Sequence, residues 1–148
     1  MNQMCGTIAK VIGGVCAAFI LSGIVTASSA QDKAAISFEL NNARQTGKGC
    51  RLSFVVQNGM PAAIEALALE IVLFNKEGLV DQFLKLKAGA LPMGKTRVKQ
   101  FVLKGKDCGG LSKILINEIA ECKGEKLSPT ACMSALSISS RTPIKLKL

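Results

Sequence analysis

The sequence predicts an all-β sandwich of seven strands in one domain, preceded by an N-terminal export signal. Three observations predict it: short runs of alternating apolar and polar residues recur along the chain, turn residues separate them, and no long amphipathic helix interrupts them. The 148 residues are an ordinary length for one domain, and the hydrophobic fraction is 49%.

Part of that hydrophobic fraction belongs to the signal rather than to a core. Lys10 precedes Val11–Val25, an uncharged run of about fifteen residues that matches a signal-peptide h-region and falls short of the roughly 20 residues a membrane span requires. Ser28 and Ala30 supply the small-x-small pattern before a signal-peptidase cut, so residues 1–30 are expected to be a signal helix cleaved after Ala30 and residues 31–148 the domain. An uncleaved anchor is the competing reading. No Arg-Arg pair marks twin-arginine export, and Cys16 follows Gly13-Gly14-Val15, a poor lipoprotein context. Cleavage lowers the net charge from +9 to about +8, since only Lys10 leaves and every acidic residue stays. So basic a chain is attracted to anionic surfaces or acidic partners.

Within the domain, Ala35–Asn41 puts Ile36, Phe38 and Leu40 on one face, and Cys50–Asn58 does the same with Leu52, Phe54 and Val56. Gln45–Gly49 reads as the loop between them and Asn58-Gly59-Met60-Pro61 as the next turn. Ile64–Lys87 reads as a central hairpin turning at Asn75-Lys76-Glu77-Gly78, with a helix as the alternative for Ala62–Ala68. With Gly78 as a left-handed bulge, Leu73 faces Asp81 and Phe74 faces Val80; with a two-residue loop, Leu73 faces Val80 and Phe74 faces Leu79. Either register leaves a second apolar face carrying Phe74 or Phe83, which makes this hairpin a candidate partner site.

Ala88–Gly94 is expected to be a loop and Lys95–Lys104 a strand. There, Lys95, Arg97 and Lys99 share a parity with Phe101 and Leu103, so a bulge near Gln100 is expected to switch the face. Lys113–Cys122 is a sixth strand or a short helix, Ser128-Pro129-Thr130-Ala131 a one-turn helical start, and Ala135–Arg141 a seventh strand.

Four cysteines remain in the domain: Cys50, Cys108, Cys122 and Cys132. An even number in an exported chain predicts two disulfides, and no C-x-x-C pair supports zinc. In an up-and-down order, starts of even strands and ends of odd strands share one end of the sandwich. Cys50 and Cys108 fall at that end and Cys122 and Cys132 at the other, which predicts those two pairings.

Cys50-Arg-Leu-Ser-Phe-Val-Val-Gln-Asn58, Glu70-Ile-Val-Leu-Phe-Asn-Lys-Glu-Gly78 and Ala90-Leu-Pro-Met-Gly-Lys-Thr96 together resemble the immunoglobulin-like or fibronectin type III-like antiparallel sandwiches of small exported alphaproteobacterial proteins of uncharacterised function. The resemblance implies a periplasmic location and no catalytic residues. It also implies that strands two and five are sheet neighbours, as are six and seven, which brings both cysteine pairs within reach.

The chain has no His, Trp or Tyr. It therefore lacks the usual base for a Ser or Cys nucleophile, the commonest transition-metal ligand, and the rings that stack on sugars or bases. No S-x-x-K motif supports a Ser-Lys hydrolase. Met60, Met93 and Met133 are expected to serve packing rather than copper, and Glu70, Glu77 and Asp81 to be solvated rather than to bind calcium. No enzyme, cofactor or metal is expected.

Two basic features are the other candidate partner residues: the row Lys95, Arg97 and Lys99, and Lys145 and Lys147 in the C-terminal Ile144–Leu148. They protect an edge strand, or they form a docking surface whose tail adds a strand to a partner. The expected function is a non-catalytic periplasmic module binding another envelope protein through a sheet face or edge. Behind it stand a basic structural protein on anionic lipid or polymer, and remotely a hydrolase with unconventional residues.

Overall fold

The structure, a computed structural model, describes residues 36–148. The expected signal segment and its cleavage after Ala30 lie outside the described residues. Those described form two four-stranded sheets built from β1 (Ile36–Thr46), β2 (Gly49–Asn58), β3 (Ile64–Asn75), β4 (Val80–Leu91), β5 (Thr96–Lys104), β6 (Leu111–Lys123), β7 (Leu136–Ser140) and β8 (Lys145–Lys147). The first sheet has the order β5-β2-β1-β7 and the second β4-β3-β6-β8. The all-β sandwich is as expected, with eight strands in place of seven.

Alternation in the sequence becomes the core. Ile36, Phe38 and Leu40 of β1 and Leu52, Phe54 and Val56 of β2 are fully buried, facing Leu67, Leu69, Ile71 and Leu73 of β3 and Ile114 and Ile116 of β6. Each such side chain contributes roughly 1.5–3 kcal/mol on leaving water. The rings of Phe38 and Phe54 lie 4.6 Å apart by centroid, and Phe101 meets Phe54 edge-on at 5.9 Å.

The hairpin turns through Gly78, whose φ of 80° is the left-handed conformation that glycine adopts freely. Phe74 pairs with Val80, the bulged-turn register. Leu73, however, faces Gln82 rather than Asp81, because Asp81 is an extra residue that forms a second bulge; its carboxylate forms an ion pair with Lys106, 2.8 Å away. The residues beyond Leu86 continue β4 to Leu91 instead of forming the expected loop. A bulge at Ala88 and Gly89, with Gly89 at φ 70°, lets the strand bend without ending. The loop expected at Gln45–Gly49 is likewise shortened, since β1 runs to Thr46 and β2 starts at Gly49.

Gly49 has a φ of 129°, and a Cβ there would overlap the carbonyl oxygen of Leu103 across the β2–β5 ladder. Gly49→Ala is expected to lower stability by about 2 kcal/mol, seen as an earlier urea midpoint at unchanged m-value.

β6 spans Leu111–Lys123 and is a strand throughout, which removes the helical alternative. It pairs with β3 through three register shifts, at Ser112, Asn117 and Ala120, each absorbing one extra β6 residue. Ser128 caps the helix α1 (Pro129–Ser134) by accepting a hydrogen bond from the Ala131 N–H at 3.2 Å, with Pro129 at its start.

The end of the chain departs furthest from expectation. Strands six and seven are not neighbours: α1 carries the chain from the second sheet to the first, where β7 lies parallel to β1. The chain then turns at Arg141–Ile144, with the Ser140 hydroxyl donating to the Ile144 carbonyl at 2.7 Å, and β8 joins the second sheet parallel to β6. The sandwich is therefore not wholly antiparallel.

Both predicted disulfides are present, Cys50–Cys108 and Cys122–Cys132. The first ties the start of β2 to the 3-10 turn after β5, neighbouring strands as expected. The second does not join two strands, because Cys132 sits on α1 and the bridge fastens that crossover helix to the end of β6.

At the opposite end from Cys50, Asn58 is fully buried and bonded at every polar atom. Its Nδ2 donates to the carbonyls of Ala62 (2.9 Å) and Leu91 (2.8 Å), and its Oδ1 accepts from the Met60 N–H (2.9 Å). Its main chain donates to Lys95 O at 3.1 Å and accepts from Gly94 N–H at 2.8 Å. A residue with an ordinary turn signature thus joins the β2–β3 connection, the end of β4 and the β4–β5 loop.

Candidate functional site

β3 is apolar on both faces, and its outward face is the centre of the site. In the second sheet, cross-strand pairing places Phe83, Val72 and Leu115 in one row, continued by Lys147, and Val80, Phe74, Lys113 and Lys145 in the next. Val72 is only 3% exposed although it points outward, because these neighbours cover it. Leu79 (64%), Val80 (55%) and Phe83 (59%) stand open at the rim.

Local hydrogen bonds fix this arrangement. Asn75 holds the turn by accepting from Leu79 N–H on its side chain at 2.8 Å, while its own N–H donates to Leu79 O at 3.0 Å. Leu79 and Val80 are thereby presented outward. The Ser112 hydroxyl donates to the carbonyls of Phe74 and Asn75, fixing the bulge that sets Lys113 opposite Phe74. The Lys113 ammonium then lies 3.7 Å from the centre of the Phe74 ring, a cation–π contact.

Charge is divided along the face. In the lower half, Lys85 pairs across from Glu70 and Glu118, and Lys87 lies in the row of Glu121. Glu121 bonds Lys123 at 2.8 Å; that hydrogen bond and charge, with lesser help from Lys85 and Lys87, hold the Glu121 carboxyl below its ordinary 4.5, and the same bond and charge, with lesser help from Glu65, raise Lys123 above 10.5. In the upper half, Lys113, Lys145 and Lys147 have no carboxylate within ion-pair distance among the described residues. The upper face is an apolar centre framed by unpaired ammonium groups.

The structure thus brings Phe74, Phe83, Lys145 and Lys147 onto one face. Lys145 and Lys147 do not belong to a free tail: β8 adds to the protein's own sheet, and buried Leu146 anchors it opposite Ile114. Lys95, Arg97 and Lys99 lie elsewhere. β5 pairs with β2 in unbroken register, so no bulge near Gln100 switches the face. Arg97 stands opposite Val56 and Lys99 opposite Phe54, on the core side of an edge strand. The Lys99 ammonium reaches over Gly89 on the facing edge. Inward-pointing charge at an edge disfavours pairing with another sheet. Arg97→Val combined with Lys99→Val is expected to raise self-association several-fold at equal concentration, read by sedimentation.

Leu79 and Val80, which the sequence presents only as register partners in the hairpin, and Val72, Lys113 and Leu115 also belong to the face. The signal for Lys113 and Leu115 was the run Lys113–Ile119, but bulges at Ser112 and Asn117 conceal which of its residues share a face. Met60 and Met133 pack against the core, and Met93 is exposed. Among the described residues no three His, Cys, Asp or Glu side chains converge as a metal site, and no helix is long and apolar enough to cross a membrane. A shallow hollow of about 300 Å³ between β6 and α1, lined by Asn117, Glu118, Ile119 and Met133, gathers no convergent charge.

On the first sheet, Glu39 accepts from Asn41 and from Arg141 Nε, each at 2.9 Å. These bonds, Asn41's first, hold its carboxyl below 4.5. A depressed folded value means that Glu39 stabilises the fold above the unfolded titration and loses that contribution as pH falls through the folded one. Glu39→Gln is expected to flatten the acid limb of stability below about pH 4.5 and to leave pH 7–8 behaviour parallel to wild type, checked by urea melts across pH.

The fold and face together define a disulfide-bonded β-sandwich with an apolar, lysine-framed sheet surface. Comparison with protein-family models, curated proteins and solved structures finds no match.

Proposed function

We propose that this chain is a non-catalytic interaction module of the Gram-negative periplasm, exported by cleavage after Ala30, that binds another envelope protein through its second sheet. The observation that carries the reading is the cluster of Leu79, Val80 and Phe83 at the rim of a face whose centre, Val72 and Phe74, is also apolar. Water contact with adjoining apolar side chains is unfavourable, and a partner that covers them gains that free energy. Two disulfides support an oxidising compartment. The orders β5-β2-β1 and β4-β3-β6 support an immunoglobulin-like kinship, from which parallel β7 and β8 depart.

Crosslinking in the envelope with identification of the captured protein tests the reading. Val80→Asp combined with Phe83→Asp is expected to abolish capture while leaving the melting temperature within a few degrees, since both residues are exposed. Undiminished capture by this variant would refute the assignment of the face. Unpaired Lys113, Lys145 and Lys147 favour a second reading, association with anionic lipid or polymer; that binding collapses between low and high salt, whereas apolar protein docking persists.

A further inference from the structure

We infer that the partner engages the free edge of β4 as an added strand, and that the strand it offers alternates acidic with apolar residues. The inference rests on the interaction reading above and specifies its site and chemistry.

The edges of the two sheets differ in how they are closed. β5 is guarded by Arg97 and Lys99 on its core side. β7 has five residues and β8 three, too few for a long ladder. Beyond β7, the upper end of β1 shares a hollow with the Pro143–Ile144 corner. β4 is different: it is twelve residues long, and between its bulges at Asp81 and Ala88 it keeps perfect register with β3, from Leu73↔Gln82 to Ala68↔Lys87. Those bulges bound the open segment without interrupting it. A regular strand with one unpaired side presents alternating N–H and C=O groups, which is the requirement for strand addition.

Side chains along that segment select the occupant. On the outward face stand Phe83, Lys85 and Lys87, and on the inward face half-buried Leu84 and buried Leu86. Lys85 and Lys87 share cross-strand rows with Glu70, Glu118 and Glu121 on the β3 and β6 side, but among the described residues neither forms an ion pair, which leaves both ammonium groups available to a strand on the open side of β4. A strand laid beside β4 therefore meets two ammonium groups and an aromatic ring on one side and aliphatic surface on the other. Carboxylates beside Lys85 and Lys87, an apolar residue beside Phe83 and apolar residues on the alternate positions satisfy all of these. A second copy of this chain fits poorly, because a net charge of about +8 after cleavage (+9 less Lys10) opposes self-association.

The test uses the full exported, disulfide-bonded chain and a short end-capped peptide alternating glutamate with valine. Saturating peptide is expected to slow amide exchange across Gln82–Lys87 by about tenfold or more. N-methylation of alternate peptide nitrogens, which leaves the side chains intact and removes the ladder donors, is expected to weaken binding by at least about tenfold. Lys85→Glu with Lys87→Glu is expected to weaken the glutamate–valine peptide to a similar degree and to favour a lysine–valine peptide. Equal binding of the N-methylated peptide, protection confined to residues outside β4, or no binding at millimolar peptide would overturn the inference. So would concentration-dependent dimerisation that protects the same β4 amides without peptide. If any of these occurs while envelope capture still depends on Val80 and Phe83, the edge assignment fails and the interaction reading stands; loss of that dependence sinks the reading itself.

Discussion

Cys50→Ser combined with Cys108→Ser is expected to lower the unfolding free energy by about 4 kcal/mol, the larger of the two disulfide effects. The bridge spans 58 residues of sequence, and holding those ends together removes more conformational freedom from the unfolded chain than the 10-residue span of Cys122–Cys132, for which about 2.5–3 kcal/mol is expected. Cys50 is also fully buried, so a serine hydroxyl there enters an apolar site without a partner. Against a typical total of 5–15 kcal/mol, the loss of the long bridge leaves a marginal domain. The two variants should differ in kind as well. Losing Cys122–Cys132 releases α1 from the end of β6, so hydrogen exchange is expected to rise first in Pro129–Leu136, with β1–β6 retaining protection. Urea melts of both variants, with exchange read on the second, check the ordering; equal losses would show that loop length is not the controlling quantity.

The second large effect is at Asn58. Asn58→Asp preserves size but replaces two N–H donors with a charged acceptor facing the carbonyls of Ala62 and Leu91. Those carbonyls lose their donor and a charge is buried without compensation, so a cost of about 3–5 kcal/mol at neutral pH is expected. The melting temperature should fall by roughly 10 °C or more. Asn58→Ala tests the same network without the charge and should cost less, about 3 kcal/mol. A change below about 1 kcal/mol in both would mean that water replaces the amide without penalty.

Much of the sandwich was legible because alternation is a local property. Ile36, Phe38, Leu40, Leu52, Phe54 and Val56 are buried where period-two patterning placed them. The cysteine pairing was legible through parity, since direction reverses with each strand and Cys50, Cys108, Cys122 and Cys132 mark ends. Its geometric account was half right: β2 and β5 are neighbours, whereas Cys122 reaches a helix. Bulges defeated the local reading elsewhere. Each inserts a residue and inverts the parity of the strand beyond it, and Asp81, Ala88, Ser112, Asn117 and Ala120 leave only weak traces in composition. Near Gln100 the pattern suggests a bulge where none exists, because a basic row on a core-side parity is explained only by the position of β5 at a sheet edge.

The candidate site divides along the same line. Phe74 and Phe83 were legible as the apolar surplus of a hairpin with two hydrophobic faces. That Lys113 covers Phe74, that β8 completes the sheet, and that Lys95, Arg97 and Lys99 face away from this surface depend on strand order, to which the sequence is nearly blind.

The strand-rich sandwich and the hairpin turn at Gly78 follow from alternation and glycine conformation, which act over a few residues, and the two disulfides follow from counting strand reversals between cysteines. That β7 and β8 join different sheets, that Asn58 is a hub rather than a turn residue, and that apolar and basic groups share the outer face of the second sheet are visible only in the folded molecule. Those facts arise from contacts between residues far apart in the chain, where burial and hydrogen bonding outweigh local preference.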